Sequence, residues 1–206
     1  MNETRWHIVR HAPVPNPGQR IYGASDRPAD TSDDDAFRVL AGRLPPGSVS
    51  VTSHLMRTRQ TLDAIRAAGL GLPDPVIDAR LGEQDLGDWT GRTYDEVRAL
   101  QGDGWNRFWL APADEVPPGG ESFAGLAMRV HECLDQLSER WRGRNVVCVA
   151  HGGTIRAALA LALGIEPANA LGFSVDTLST TLIDRLHPES GFDGGWRVRG
   201  TNLPAR

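Results

Sequence analysis

The stretch WHIVRHA, residues 6–12, decides the fold, because it is a short apolar run that stops at an arginine followed by a histidine. A second such stop comes far along the chain, where the valine-rich run 146–150 is followed by His-Gly-Gly-Thr at 151–154. A short and nearly continuous apolar run is typical of a parallel strand that is covered on both faces. We therefore expect two buried strands, each ending in a histidine, that supply the two halves of one site.

Outward from these two runs, strand patterns alternate with helical patterns through most of the chain. Strands are predicted over 6–9, 48–52, 75–77, 146–150, 171–175, 179–185 and 196–199. Helices are predicted after the capping residues Ser32 and Ser53, over 121–141 and over 154–163. The alternation favours an α/β fold, and we expect a three-layer α/β/α sandwich with a mostly parallel central sheet.

The length of the chain sets the expected domain organisation. With 206 residues it is long enough for one sizeable domain and short for two, so we expect a single domain over 1–206. Residues 88–130 depart from the strand–helix rhythm, with short helices predicted at 93–100 and 105–110 and a Pro-Pro-Gly-Gly break at 117–120. We expect this segment to form a cap-like helical excursion that covers the site.

The composition is that of an ordinary soluble protein, with 40% apolar and 23% charged residues. A formal net charge of −4 gives no broad basic face, so no nucleic-acid partner is expected. No apolar stretch is long enough to span a bilayer, and no membrane partner is expected. Cys133 and Cys148 lie in patterns typical of buried thiols, and the N-terminus lacks a signal-peptide pattern, so a cytoplasmic location is expected.

The segment around His151 has the properties of an anion site. In open α/β sheets, ligands bind beyond the carboxyl ends of the strands, where His11 and His151 are both predicted to lie. His151 directly precedes a predicted helix, and Gly152 and Gly153 permit close approach of the backbone. The amides of a helix N-terminus favour a phosphate or a carboxylate. A structural or surface role for either histidine alone stays open.

Two arginines are predicted at the same edge of the sheet. Arg10 adjoins His11, and Arg57 lies one turn into the helix that follows the second strand. Arginine suits phosphate because its planar fork makes bidentate hydrogen bonds and its charge does not titrate away. Either arginine alone is typical of a solvated surface, whereas both at one edge favour a phosphate site. No carboxylate cluster with the spacing of metal ligands is present, so no metal is expected.

Four motifs then resemble one known family. Arg-His-Ala at 10–12 resembles the Arg-His-Gly signature of the histidine phosphatase superfamily, which includes the cofactor-dependent phosphoglycerate mutases. The segment 53–61 is similar to the second arginine motif of that family, LGEQDLGDWTG at 81–91 to its glutamate-bearing loop, and HGGTIR at 151–156 to its second histidine motif. The motifs follow in the family's order and cover nearly the whole chain.

The resemblance implies roles for the matching positions in this sequence. It implies that His11 is the nucleophile that takes the phosphoryl group and that Glu83 is the general acid for the leaving oxygen. It implies that the phosphoryl oxygens are held by Arg10, Arg57, His151 and Gly152. It also implies a small phosphomonoester as substrate, a phosphohistidine intermediate, and no metal or other cofactor. Asp85 and Asp88, in the same loop as Glu83, stay open as competitors for the acid role.

Departures from the family pattern decide between the possible activities. Ala12 stands where the family has glycine, and alanine disfavours a backbone conformation with positive φ. The segment IYGASD, residues 21–26, resembles small-molecule phosphatases, including the α-ribazole phosphatase-like branch, and the chain is shorter than typical mutases. A metal-independent phosphomonoesterase is therefore favoured over a phosphoglycerate mutase-like phosphotransferase. A catalytically weak module that binds a phospho-ligand or phosphoprotein is the third alternative, which Ala12 alone encourages.

Overall fold

The secondary structure is known from a computed structural model that describes residues 2–101, 110–189 and 193–205. In these ranges the strands are β1 (Glu3–Arg10), β2 (Val49–Thr52), β3 (Val76–Ile77), β4 (Asn145–Ala150), β5 (Thr180–Leu186) and β6 (Gly195–Leu203). The helices are α1 (Asp34–Arg43), α2 (Met56–Ala67), α3 (Tyr94–Gln101), α4 (Phe123–Arg140), α5 (Gly152–Leu163) and α6 (Pro167–Ala170). Single turns of 3₁₀ helix lie at Ala79–Leu81 and Gly87–Trp89.

The described strands form one mixed sheet in the order β3-β2-β4-β1-β5-β6. β1 and β4 are parallel neighbours in the middle of the sheet, with Arg10 opposite Ala150 at their carboxyl ends. β2 is parallel to both β4 and β3, while β5 runs antiparallel to both of its neighbours. The prediction of a mostly parallel sheet is confirmed, and the carboxyl ends of β1, β4 and β2 lie side by side at one edge.

Both faces of the sheet are covered by helices. Successive side chains of β1 point to opposite faces, so the strand contributes to a core on each side. On one face, Ile8 packs in a core with Leu134 of α4 and Leu159 of α5. On the other face, Val9 packs in a core with side chains of α1 and α2, among them Leu62. These five side chains are at most 2% exposed, and burying each fully contributes about 1.5–3 kcal/mol to folding. The predicted α/β/α sandwich is confirmed.

A third, smaller core joins the excursion to the loop that follows β1. Its buried members are Ile21, Leu86, Trp89, Val97, Leu110 and Ala111. The backbone pairs along the same line, since the N–H of Ile21 donates to the carbonyl of Arg92 at 2.8 Å and the N–H of Gly91 donates back to Ile21 at 2.8 Å. Residues 123–130, which the sequence places in the excursion, are instead the first turns of α4 and pack in the core of the sandwich.

The segment 171–175 is irregular, so the prediction of a strand there is wrong. Its apolar residues Leu171 and Val175 are buried, as the pattern indicates, but its backbone pairs with arginine side chains. The carbonyl of Val175 accepts from Nη1 of Arg10, and the carbonyl of Phe173 accepts from Nε of Arg156 at 2.9 Å. Backbone polar groups that are bonded to side chains have no need of a strand partner.

Two helix caps in the structure also differ from the predicted ones. Asp33, rather than Ser32, caps α1, since its carboxylate accepts from the N–H of Ala36 at 3.0 Å. The side chain of Asp26 accepts from the N–H of Met56 at 2.6 Å, so the loop after β1, and not Ser53, satisfies the first amide of α2. Of the helix predicted at 105–110, residues 105–109 lie outside the described part of the chain.

Candidate active site

The two strand-end histidines meet in the structure. β1 and β4 end in register, and the N–H of His11 donates to the carbonyl of Ala150 at 2.9 Å. The ring centroids of His11 and His151 lie 5.2 Å apart, with the planes inclined by 59°. His11 is 1% exposed and His151 is 0% exposed. The sheet thus brings together the two imidazoles that the sequence places 140 positions apart.

One ring nitrogen of His11 is hydrogen-bonded to the backbone. Nδ1 lies 2.7 Å from the carbonyl oxygen of Ala12. A carbonyl oxygen can only accept, so Nδ1 carries the hydrogen and Nε2 carries the lone pair of the neutral ring. Burial, together with the charges of Arg57 and Arg10, lowers the pKa of His11 to about 3. Nε2 of His11 is therefore unprotonated at neutral pH.

Ala12 fits this turn without backbone strain. Among the described residues, the positive φ values outside glycine belong to Gln19, Leu178 and Asn202, and Ala12 is not one of them. Its N–H donates to the hydroxyl of Thr61 at 2.9 Å, and the residue is 0% exposed. The backbone conformation at this position therefore makes no demand that only glycine could meet.

His151 is held by a directional chain of hydrogen bonds. Its Nδ1 accepts from Nε of Arg57 at 3.2 Å, so its Nε2 carries the hydrogen and donates to the hydroxyl of Ser53 at 2.8 Å. Ser53 lies 3.1 Å from the hydroxyl of Thr58, which donates to the carbonyl of Leu55 at 2.8 Å. Burial, followed by the neighbouring His11 and Arg57, lowers the pKa of His151 well below its ordinary value. In this arrangement His151 is neutral.

Ser53 is thus a site residue, whereas the sequence analysis predicted it as a helix cap and as the first residue of the arginine motif, without a role at the site. It stands at the end of β2, next to β4 in the sheet, so its hydroxyl reaches the residue that follows β4. The signal in the sequence was its place at the head of the arginine motif 53–61. Nothing local in that motif reveals which histidine the serine contacts, because the pairing depends on the order of the strands.

Arg57 is buried and anchors the loop that follows β1. Its Nη1 donates to the carbonyl of Ser25 at 2.7 Å, and its Nη2 donates to the carbonyl of Gly23 at 2.8 Å. The guanidinium also lies 5.3 Å from the ring centroid of Tyr22. Burial lowers the pKa of Arg57, but a guanidinium stays charged in proteins. The loop and the cation therefore fix each other beside His151.

Arg10 lies over the N-terminus of α5. A Cβ atom built on Gly152 would come within 3.7 Å of Nε of Arg10, so this guanidinium and the first turn of the helix are close neighbours. Nη1 of Arg10 donates to the carbonyl of Val175, while its Nε is buried without a hydrogen-bond partner in the described part of the chain. A buried donor of this kind beside a helix N-terminus is suited to an anionic ligand.

Glu83 contacts the same helix terminus through the next residue, Gly153. The N–H of Gly153 lies 3.1 Å and 3.2 Å from the two carboxylate oxygens of Glu83. A Cβ atom at position 153 would overlap that carboxylate, so the contact requires glycine there. Asp85 and Asp88 are exposed, and Asp85 accepts from the N–H of Gly87 in its own turn. The geometry thus separates Glu83 from its two competitors.

Arg129 and Arg156 are further cations at the site whose placement the sequence reading did not foresee. Arg129, on α4, holds the glutamate loop by donating to the carbonyls of Gly82 at 2.9 Å and Glu83 at 3.1 Å. Arg156, one turn into α5, has its Nη1 within 3.3 Å of a Cβ built on Gly152. Burial and the charge of Arg10 lower the pKa of Arg156, and Glu83 opposes them. Arg156 was visible in the last histidine motif, whereas no motif marks Arg129.

The described residues contain neither a group of side chains suited to a metal ion nor a membrane-spanning helix. In the ranges 2–101, 110–189 and 193–205, no three His, Cys, Asp or Glu side chains group in a way that could hold a metal ion. Among the helices of those ranges, none combines the length and the apolar character that a bilayer crossing requires.

Comparison with known proteins identifies the family. The sequence profile of the histidine phosphatase superfamily (branch 1) matches residues 6–200, and the chain belongs to this family. It is 38% identical over 185 residues to the glucosyl-3-phosphoglycerate phosphatase of Mycolicibacterium vanbaalenii, an alignment that covers 82% of this chain and 78% of the relative. The resemblance drawn from the four motifs is confirmed, and so is the prediction of an enzyme of this class.

Two further relatives broaden the comparison. A 2,3-bisphosphoglycerate-dependent phosphoglycerate mutase of Methylobacterium radiotolerans is 34% identical over 146 residues, which cover 69% of this chain and 68% of that protein. A solved structure called mycobacterial hydrolase 2 superposes with a TM-score of 0.83 at 31% identity, over 100% of this chain and 93% of the other. The chain is thus similar in sequence to a mutase and similar in sequence and fold to a hydrolase.

Proposed function

We propose that the protein is a phosphatase of small phosphorylated metabolites that works through a phosphohistidine on His11, without a metal ion. The observation that carries this proposal is the hydrogen bond from Nδ1 of His11 to the carbonyl of Ala12 at 2.7 Å. It leaves the lone pair of Nε2 available to attack phosphorus. Burial and two arginines keep the ring neutral, with a pKa of about 3, so the nucleophile is ready at neutral pH.

In the first step, Nε2 of His11 attacks the phosphorus atom of the ester. The new N–P bond forms as the bond from phosphorus to the leaving oxygen breaks, and that oxygen keeps the electron pair. A protonated Glu83 gives its proton to the leaving oxygen, which departs as an alcohol. The charge on the phosphoryl oxygens is stabilised by Arg10, Arg57 and the first amides of α5.

In the second step, water attacks the phosphorus of the phosphohistidine. The carboxylate of Glu83 takes one proton from the water as the new P–O bond forms. The N–P bond breaks, its electrons return to Nε2 of His11, and inorganic phosphate leaves. Glu83 ends the cycle protonated and His11 ends it neutral, so atoms and charges are restored for the next turnover.

His151 has a different part in this proposal from the one implied by the resemblance. Both of its ring nitrogens are bonded within the protein, to Arg57 and to Ser53. We infer that in the ligand-free protein it acts first as a neutral acceptor that orients Arg57. A phosphoryl group that enters beside it competes with Nδ1 for the N–H of Arg57.

The substrate class rests on the relatives. The relative from Mycolicibacterium vanbaalenii is named a glucosyl-3-phosphoglycerate phosphatase, so phosphoglycerate esters of this kind are the first compounds to screen. A phosphoglycerate mutase-like phosphotransferase is the second candidate, because a mutase is 34% identical to this chain. That alternative requires the phosphoryl group to pass from phosphohistidine to a second hydroxyl instead of to water.

The test is hydrolysis of an aryl phosphate by the wild type and His11→Ala, each with and without a chelator. We expect wild-type turnover that resists the chelator and loss of at least about 10²-fold in His11→Ala. Arg38→Ala, which truncates an exposed side chain on α1, is the control and should retain activity. Turnover that survives in His11→Ala contradicts the nucleophile, and turnover that the chelator abolishes contradicts the metal-free mechanism.

A further inference from the structure

An ion pair at the start of α4 grips the loop that carries Glu83. Glu121 precedes Ser122, the residue that caps α4, and Arg129 lies in the second turn of that helix. The carboxylate and the guanidinium meet in two hydrogen bonds, from Nε to Oε2 at 3.0 Å and from Nη2 to Oε1 at 2.5 Å. The two side chains are 25% and 27% exposed. A bidentate pair that is largely shielded from water fixes the orientation of both side chains.

The remaining donors of Arg129 go to the backbone of the loop. Nη1 donates to the carbonyls of Arg80 at 2.6 Å and Gly82 at 2.9 Å, and Nη2 donates to the carbonyl of Glu83 at 3.1 Å. Together with the bonds to Glu121, these contacts use all five N–H groups of the guanidinium. A lysine carries its three donors on one nitrogen and cannot span the same acceptors. The arrangement therefore requires arginine and not merely a positive charge.

Glu121 holds the residues that follow in the same loop. Its Oε1 accepts from the N–H of Asp85 at 3.1 Å, and its own N–H donates to the carbonyl of Asp85 at 2.8 Å. Its carbonyl accepts from Nε2 of Gln84 at 2.8 Å. A Cβ atom built on Gly120 would come within 2.4 Å of the carbonyl oxygen of Asp85, so the two backbones are in direct contact. The ion pair thus holds the loop both before and after the general acid.

The carboxylate of Glu83 is placed by this held backbone. Its Oε1 accepts from the N–H of Gln84 at 3.1 Å, and both of its oxygens lie near the N–H of Gly153. In the described part of the chain, the hydrogen bonds of Arg129 reach the backbone of Glu83 and not its carboxylate. Arg129 therefore acts on the acid only through the loop. A displacement of a reacting group by about 1 Å can cost about 10²-fold in rate.

We propose that the ion pair of Glu121 and Arg129 is the positioning device of the general acid, and that Arg129 is its principal positioning residue. The proposal rests on the proposed phosphatase function and adds two residues to the same site. The pair fixes the backbone of residues 82–85, so the carboxyl of Glu83 reaches the leaving oxygen in the first step and the water in the second. Loss of the pair slows the steps that Glu83 serves and spares binding of the phosphoryl group.

The first test is Arg129→Lys, which keeps the charge and loses the fork. The leaving oxygen of an aryl phosphate needs no proton, so release of the phenol in a single turnover, with enzyme in excess, should stay within about twofold of the wild-type rate. Steady-state kcat on the aryl phosphate should fall about tenfold or more, because attack of water needs Glu83. On glycerol 3-phosphate, the single-turnover rate and kcat should both fall about tenfold or more.

The second test is the double variant with Glu83→Gln, in which the group that the pair positions is already changed. In that background Arg129→Lys should alter steady-state kcat on the aryl phosphate by less than about twofold, since residues that act through one group are not additive. Glu121→Gln keeps the arginine and one side-chain oxygen as acceptor. It should show the same split between single-turnover and steady-state rates with a smaller loss, in a variant whose folding is less perturbed.

The control is Arg38→Lys, which makes the same exchange in the exposed ion pair with Asp35 on α1 and should change no rate. Unchanged rates in both Arg129→Lys and Glu121→Gln overturn the positioning role. An equal loss in every rate, or a loss repeated in full in the Glu83→Gln background, also overturns it, because the pair then supports the fold alone. A wild type that turns over neither ester overturns the phosphatase proposal itself.

Discussion

Nδ1 of His11 donates a hydrogen bond of 2.7 Å to the carbonyl oxygen of Ala12, the next residue in the chain. This contact selects the reactive nitrogen, because it leaves the lone pair of the neutral imidazole on Nε2. It also explains why alanine is accepted here, since the position needs a correctly aimed carbonyl and not a positive φ. The binding-module alternative thereby loses the one feature that encouraged it.

Ala12→Gly should therefore leave catalysis nearly unchanged. The carbonyl that orients His11 is retained, so kcat/KM on an aryl phosphate should stay within about twofold, while the extra backbone freedom lowers stability by about 0.5–1 kcal/mol. Steady-state kinetics and urea unfolding measure the two effects. A gain of tenfold or more in kcat/KM would mean that the alanine impairs the nucleophile in this protein.

Gly153→Ala should reduce turnover strongly. The added methyl overlaps the carboxylate of Glu83 and removes it from the N–H at the start of α5, and loss of a positioned general acid costs about 10²-fold or more. The measurement is kcat on an ester with a poor leaving group. Gly42→Ala, where nothing lies within 4 Å of the added methyl, is the control. Full kcat in Gly153→Ala would remove Glu83 from the acid role.

Ser53→Ala should lower both stability and turnover. It leaves the buried N–H of His151 without its acceptor, and an unsatisfied buried donor costs about 1–3 kcal/mol. His151 and Arg57 then lose their fixed orientation, so kcat should fall more than KM rises. Ser48→Ala removes a buried hydroxyl that bonds to Pro45, far from the site, and should affect stability alone. Equal kcat in both variants would show that Ser53 has no positioning role.

Acidification should destabilise the protein below about pH 6.5. The pKa of His11 is lowered to about 3 and that of His151 is also lowered by burial, so the unfolded chain binds protons that the folded protein does not. Each such histidine removes up to about 1.4 kcal/mol of stability per pH unit as the pH falls from 6.5 toward the folded pKa. Stability is regained as the pH rises through 6.5.

Urea unfolding between pH 7.5 and 5 measures this effect. His151→Asn should flatten the dependence of the unfolding free energy on pH, because one of the buried histidines no longer titrates in the unfolded chain. Ser48→Ala, which removes a buried hydroxyl that does not titrate in this range, should leave the slope unchanged. An unfolding free energy that does not vary between pH 6.5 and 5 in the wild type would contradict buried neutral histidines at the site.

The sequence predicted the features that depend on local pattern. The apolar runs that end at His11 and His151 predicted two strands whose ends meet, since parallel strands share one edge of a sheet. It failed where an apolar pattern was buried without being a strand, as at 171–175, because backbone bonding to Arg10 and Arg156 depends on tertiary packing. The contact of Ser53 with His151 was hidden for the same reason, since it follows from the order of β2, β4 and β1 in the sheet.

The most direct test of the account is capture of the phosphoryl group on His11. Wild-type protein is mixed with a ³²P-labelled phosphomonoester, quenched within milliseconds in alkali, digested and mapped. The account predicts one labelled peptide, containing His11, whose label survives alkali and is released by acid, and no label in His11→Ala. With an aryl phosphate, whose leaving oxygen needs no proton from Glu83, Glu83→Gln should accumulate the label because the attack of water is slowed. Label on any other residue, or the absence of label from both the wild type and Glu83→Gln, would contradict the phosphohistidine mechanism.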